Sequence, residues 1–419
     1  MSKFKPLLAA SIGNILELYD FAIYAFLMPT IGPLFFPNAN KLTSLVLSFG
    51  VFAASFLTRP LGGILFGHLG DKKGRTKALS LSLILMALCT GLMGLLPTYA
   101  QIGILAPILL TVLRLAQGLC LGGEYSGSLI IVLEHIGYDS KKRPGLMGSL
   151  VTAASISGLL LGLAVSHLCQ PPFLPESFWR TAFLIGALTG LLGFYIRKNM
   201  QEPEVLNKPS TERFPLISLL SDYPGTTFAT VGMGALTGAL FYGLFVFPIS
   251  FLPAVMGVPP HLAKQCTLVG AGLCIIFLPI MGLVSDRIGH YKLMGLSALA
   301  TICLAFSLFS LFSYADTPRI LVAQIIAALL TASFMAPVSV VMSEIFPAKV
   351  RYTGASFSYN LGLCLLGAAT PAISLMLVKE TGSVVAPATY LIGCATFGLI
   401  SAIIGSVLKK EQDKPIVSS

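Results

Sequence analysis

GHLGDKKGRTK at residues 67–77 and GLVSDRIGHYK at residues 282–292 are two copies of one pattern, G-x-x-x-D-[K/R]-x-G followed by basic residues. Each copy ends a long apolar run. A second echo follows each of them at a similar distance. Glu134 precedes Lys141, Lys142 and Arg143, and Glu344 precedes Lys349 and Arg351. Both offsets equal about half of the 419-residue chain. The sequence is therefore a duplication, two units in the same orientation.

Composition says what the units are made of. The chain is 55% hydrophobic and 11% charged, with mean hydropathy +0.86. A soluble protein carries roughly 25% charged residues, so this one cannot cover a water-facing surface. Its 41 glycines and 26 prolines are tolerated in membrane helices. A spanning helix needs about 20 mainly apolar residues. Twelve such runs are predicted, near 7–35, 44–68, 78–96, 102–134, 146–168, 179–197, 225–251, 264–284, 293–313, 319–343, 354–378 and 385–408. Strand alternation is absent, which excludes a β-barrel. The first run holds Glu17 and Asp20 and continues to about Pro37, so it reads as a first span and not as a cleaved signal. The fold class is an all-α membrane protein of two six-helix bundles.

A net charge of +10 would suit nucleic acid. The basic residues instead sit in short clusters between apolar runs. With both termini inside, Lys72, Lys73, Arg75, Lys77, Lys141, Lys142, Arg143, Arg197, Lys198, Arg287, Lys292, Lys349, Arg351, Lys409 and Lys410 all fall on the inner side. Inner Lys and Arg exceed outer ones about four to one, the positive-inside pattern. The bundles are expected at 1–197 and 223–410, with a polar linker at 198–222 and a short tail at 411–419, both cytoplasmic. Nearly all eight cysteines lie in apolar runs and read as packing residues. Cys169 and Cys266, near outer turns, are the one pair that could meet.

Catalytic and nucleotide motifs are missing. No G-x-x-x-x-G-K-[ST], H-E-x-x-H or G-x-S-x-G occurs, and no metal-ligand cluster has usable spacing. The expectation is a non-enzyme without cofactor, using protons as coupling ion, with no nucleic-acid partner. Glycine doublets at 62–63 and 122–123 lie within spans, where close helix approach explains them.

Four stretches resemble the major facilitator superfamily, and within it the metabolite:H+ symporter family. They are GNILELYDF at 13–21, RPLGGILFGHLGD at 59–71, RLAQGLCLGGEY at 114–125 and EIFPAKVRYTG at 344–354. One departure is Leu18, where that family usually has tryptophan. The resemblance covers essentially the whole chain. It implies proton symport of a small organic solute, since the family includes carriers of proline and betaine, α-ketoglutarate, citrate, shikimate and dicarboxylates. It also implies a bacterial inner membrane.

An ionisable group in hydrocarbon costs at least about 2.5–3.5 kcal/mol. Glu17, Asp20, Arg59, Arg114 and Glu124 nevertheless lie inside spans, all in the first half. Asp20 and Arg114 fall near mid-span by helical rise and are expected to form a proton-sensitive pair. An adjacent arginine favours an acid's charged form while desolvation favours its neutral form. Arg59, Glu124 and Glu17 lie at similar depths and are further proton-coupling candidates, Glu124 as a second proton site; a gating or structural Arg59–Glu124 pair is the alternative. Asp71, Arg75, Asp286 and Arg287 are expected to gate, tying helices together when the inner side is closed. Glu134 with Arg143, and Glu344 with Arg351, form the second expected set. Candidate solute contacts are Asn14, Tyr24, Gln117, Tyr125, Tyr242, Tyr359 and Asn360.

The reading is a monomeric importer of a small polar metabolite working by alternating access in a lipid bilayer. The lack of charge in second-half spans argues against a tricarboxylate. An amino acid, a betaine-like solute and a mono- or dicarboxylate are expected in that order. An exporter or exchanger of a small molecule or siderophore would have the same fold. A membrane sensor or scaffold is the reading from another class, but it gains nothing from buried charge.

Overall fold

The computed structural model describes residues 4–37, 41–137, 140–169, 173–175, 178–198, 202 and 215–412. Among them, twelve helices are long and apolar enough to cross a membrane. The first half holds α1 (Phe4–Phe35), α2 (Lys41–Lys73), α3 (Arg75–Leu95), α4 (Leu105–Ile136), α5 (Pro144–Leu168) and α6 (Trp179–Lys198). The second holds α7 (Pro224–Met256), α8 (Pro260–Ile288), α9 (His290–Ser313), α10 (Thr317–Glu344), α11 (Arg351–Thr381) and α12 (Pro387–Gln412). The predicted spans match these helices to within a few residues at most ends. Most of the expected linker and tail lies outside the described residues. Within that linker, Pro215–Asp222 is a short helix.

The duplication appears in the packing. In the first half α1 packs on α5, α2 on α4 and α3 on α6; in the second, α7 packs on α11, α8 on α10 and α9 on α12. The halves meet through α2 against α11 and α5 against α8, two contacts related by the same repeat. Leucine and isoleucine exposed along the outside, such as Leu57, Leu61, Leu65 and Leu92, face the lipid layer such helices need.

Local chemistry sets the helix ends. Gly74 (φ 110°) and Gly289 (φ 99°) separate α2 from α3 and α8 from α9, in backbone that only glycine adopts readily. Asp71 and Asp286 are therefore in the last helical turns, not in loops as the sequence pattern suggests. On the other face Arg180 donates to the carbonyls of Gly94 (2.7 Å) and Leu96 (2.8 Å), closing the free end of α3. Asp316 caps α10 by accepting the N–H of Arg319. One π-helical stretch interrupts α7 at Tyr242–Val246 and another interrupts α11 at Leu363–Gly367. All eight cysteines are free, and Cys169 and Cys266 are buried in different halves.

Candidate solute and proton site between the halves

A recess lies between the bundles, walled by side chains of both, polar, charged and aromatic among them. Glu17, Arg59, Tyr125, Thr152 and Ser155 line it from the first half. Thr237, Tyr242, Met335, Tyr359, Asn360 and Leu363 line it from the second. Four of the seven expected solute contacts are thus on its wall: Tyr125, Tyr242, Tyr359 and Asn360. The other three do not line it. Asn14 donates to the Ala10 carbonyl and accepts from Ser155. Tyr24 donates to the Ser48 carbonyl, and Gln117 belongs to the relay described next.

Asp20 and Arg114 are both buried, at 2% and 0% exposure, but they do not touch as an ion pair. Two side chains connect them instead. Arg114 donates from Nη1 to Gln117 Oε1 at 2.7 Å, and Gln117 donates from Nε2 to Thr90 Oγ1 at 2.7 Å. Thr90 then donates to Asp20 Oδ2 at 2.8 Å. Arg114 faces the Tyr24 ring at 4.2 Å. Asp20 Oδ1 and Arg114 Nε and Nη2 have no hydrogen-bond partner. The relay thus carries spare capacity at both ends. Thr90 was not legible beforehand, because hydroxyls on spans usually bond their own helix, as Thr90 also does to Met86.

Glu124 is held elsewhere. Its carboxylate pairs with Arg197 on α6 and accepts from Ser82 (3.0 Å) and Ser128 (3.2 Å). Arg197 is 2% exposed and also donates to the Ala9 carbonyl at 3.2 Å. The alternative of an Arg59–Glu124 pair is therefore wrong, and so is the reading of Arg197 as an inner-turn charge. One signal was available: three span acids against two span arginines leave one cation missing. Arg59 lies over the rings of Phe21 (4.7 Å) and Phe56 (4.5 Å), which meet edge-on.

The charges at the basic face, where the Lys- and Arg-rich turns lie, tie the halves together. Asp71, ending α2, accepts the backbone N–H groups of Tyr352 (3.1 Å) and Thr353 (2.9 Å), which begin α11. Asp286, ending α8, accepts those of Gly145 (2.7 Å) and Leu146 (3.0 Å), which begin α5. Each repeat acid thus caps a helix of the opposite half. Glu134 binds Arg75 (3.0 Å) and Arg351 (2.7 Å), not Arg143, which is exposed. Arg75 reaches the Ala348 carbonyl across the boundary. Glu344 contacts Lys409 at 3.9 Å, and Arg287 is exposed. Among the described residues, the ion pairs and hydrogen bonds seen between halves run from this face up to Asn360, which donates to the Gly122 carbonyl. Among the described residues the opposite face shows none.

Two like six-helix bundles, a recess between them lined from both and charge buried in its walls define a secondary transporter. The Major Facilitator Superfamily model matches residues 10–268, and the chain belongs to that superfamily. It is a multi-pass membrane transporter, not an enzyme. The proline/betaine transporter of Salmonella typhimurium is 30% identical over 433 residues, covering 98% of this chain and 84% of that one. The inner membrane metabolite transport protein YhjE of Escherichia coli is 32% identical, covering 96% and 94%. Among solved structures, the proton:xylose symporter XylE bound to 6-bromo-6-deoxy-D-glucose superposes with TM-score 0.77 at 16% identity, covering 96% and 94%.

Proposed function

We propose that the chain is a proton-coupled symporter that imports a small polar organic metabolite across the bacterial inner membrane by alternating access. The observation that carries this reading is the relay Asp20–Thr90–Gln117–Arg114, closed at its centre and unsatisfied at both ends. With Asp20 charged, the relay is neutral overall. Protonation of Asp20 leaves the arginine charge uncompensated in a low-dielectric wall, where it favours a new partner or a new arrangement of helices. Glu124 takes no part, because Arg197, Ser82 and Ser128 hold its charge.

The positive-inside pattern supports a cytoplasmic position for the basic face and both termini. That face is latched shut, so the recess loads from outside. Asp71, Asp286, Glu134, Arg75 and Arg351 form the latch. The proline/betaine activity of the Salmonella relative favours an amino acid or betaine as solute, with carboxylates second. The test is uptake into proteoliposomes under an imposed pH gradient, with labelled proline, betaine and α-ketoglutarate. Accumulation that collapses with a protonophore is expected. Uptake indifferent to the gradient would overturn the coupling.

A further inference from the structure

Glu17 and Arg59 belong to neither the relay nor the latch. They are 4% and 6% exposed, and both line the recess. No ion pair joins them among the described residues. Glu17 Oε2 and Arg59 Nε and Nη2 have no hydrogen-bond partner. Two opposite charges, each stripped of water and left unpaired on the wall of one recess, are costly unless the carboxylate takes up a proton or a third body completes both.

The surroundings restrict that body. Phe21 and Phe56, edge-on to each other, sit beside the guanidinium and offer it no hydrogen-bonding oxygen. Its donor fork is left for a planar anion, which arginine binds with two parallel hydrogen bonds. The charges nearest Glu17 are Arg59, Glu124 and Arg197. Glu124 and Arg197 neutralise each other as a bonded pair, so a charged Glu17 still needs a cation. Three tyrosines share the wall, Tyr125 and Tyr359 with ring centres 5.5 Å apart and Tyr242 edge-on to Phe56 at 5.7 Å. Tyrosine faces attract a cation, including a nitrogen whose alkyl groups leave it no N–H to donate. Asn360 spends its amide hydrogens on Gly122 and Ser356, so only its oxygen can face a solute.

We propose that Glu17 and Arg59 are the two poles of a zwitterion site, Arg59 taking a carboxylate and Glu17, with the tyrosine faces, taking a cationic nitrogen. The class is small amino acids, imino acids and betaines. A zwitterion completes both wall charges and adds no net charge to the recess. A monoanion leaves Glu17 bare, a monocation leaves Arg59 bare, and a neutral sugar leaves both. This assignment rests on the reading that the recess carries the solute.

The test is binding, not flux. Purified full-length protein in lipid nanodiscs is titrated with glycine betaine, L-proline, cyclopentanecarboxylate and N,N-dimethylpyrrolidinium. The two zwitterions are expected to bind at least about tenfold more tightly than either single-charge analogue, because each analogue leaves one buried wall charge unpaired. Glu17→Gln is expected to bring cyclopentanecarboxylate level with the zwitterions, and Arg59→Gln to do so for the cation. Should those variants not fold, Glu17→Asp and Arg59→Lys keep the charges but move them. They are expected to weaken both zwitterions and retain the preference. Equal binding of all four compounds, binding of none, or a preference that survives Glu17→Gln unchanged would each overturn the assignment. Zwitterion binding without gradient-driven uptake would sink the coupling reading and leave this one standing. Gradient-driven uptake of a carboxylate without zwitterion binding would do the reverse.

Discussion

Thr353 donates both its backbone N–H (2.9 Å) and its hydroxyl (2.7 Å) to Asp71, across the boundary between the two halves. The carboxylate sits at the start of α11, where the helix presents unpaired N–H groups and the positive end of its dipole. Its repeat partner, Asp286, caps α5 through two backbone N–H groups, with no hydroxyl shown among its partners. Hydrogen bonds to a charged group contribute about 1.5–3 kcal/mol. Asp71→Asn should therefore shift the closed-to-open balance of the basic face by at least about tenfold, and Asp286→Asn by less. Spin labels at the exposed positions Lys73 and Lys349 would report this as a longer distance in D71N. An unchanged distance with weakened solute binding would move Asp71 from the latch to the solute site.

The spans, the duplication and the identity of the buried charges were legible because hydrocarbon leaves few alternatives: helices must be long and apolar, and charge inside them is rare. Partners were not legible. Along the chain Asp71 looks paired with Arg75 and Glu134 with Arg143. The fold keeps Arg75 4.0 Å from Asp71 but adds backbone donors from the other half, and it gives Glu134 two arginines from two different helices. Arg197 precedes Lys198 at a helix end and reads as a turn charge, yet it is turned inward onto α1 and α4. Tyr24 and Tyr242 look alike in sequence, and only the packing puts the second on the recess and the first beneath Arg114.

The Glu124–Arg197 pair is buried on all sides, so removing one partner strands the other. Glu124→Gln should cost about 3–5 kcal/mol, seen as a lowered melting temperature in detergent. Replacing both residues by methionine should recover most of that loss, since a buried pair often contributes little over an apolar fill. Exchanging Arg59 with Glu124 should rescue nothing, because those two do not bond. Full stability of the E124Q protein would show that the pair does not hold α6 against α4.

Asp20 gives a pH dependence with a definite sign. The titratable groups coupled to it are the charged Arg114 and the neutral Tyr19 and Cys89. Tyrosine and cysteine ordinarily titrate near 10 and 8.5, so in the acid range Asp20 is the member that changes charge. Uptake loaded through protonated Asp20 is present at low external pH and lost as pH rises through its titration. Asp20→Asn should flatten that profile and abolish accumulation, while solute exchange, which moves no net proton, persists. Thr90→Val keeps the shape but cuts the relay, and should lower gradient-driven uptake by about tenfold or more, the scale of a positioned proton-transfer group. A T90V protein with wild-type uptake and pH profile would remove the relay from the mechanism.

Neighbouring glycines on α2 face different partners, and their substitutions should part accordingly. A Cβ on Gly62 would run into the carbonyl oxygen of Leu119 on α4, within the first half. Gly122 on α4 meets the Arg59 carbonyl in the same way from the other side. Backbone cannot yield there, so Gly62→Val should lower the melting temperature and the yield of folded protein. A Cβ on Gly63 would instead meet the Ser356 backbone on α11, at 2.8 Å, across the boundary between halves. The halves can separate where a single bundle cannot. Gly63→Val should therefore leave melting nearly unchanged and hold the basic face open, lengthening the distance between labels at 73 and 349. Equal destabilisation by both substitutions, with no change in that distance, would mean that α2 and α11 do not part during transport.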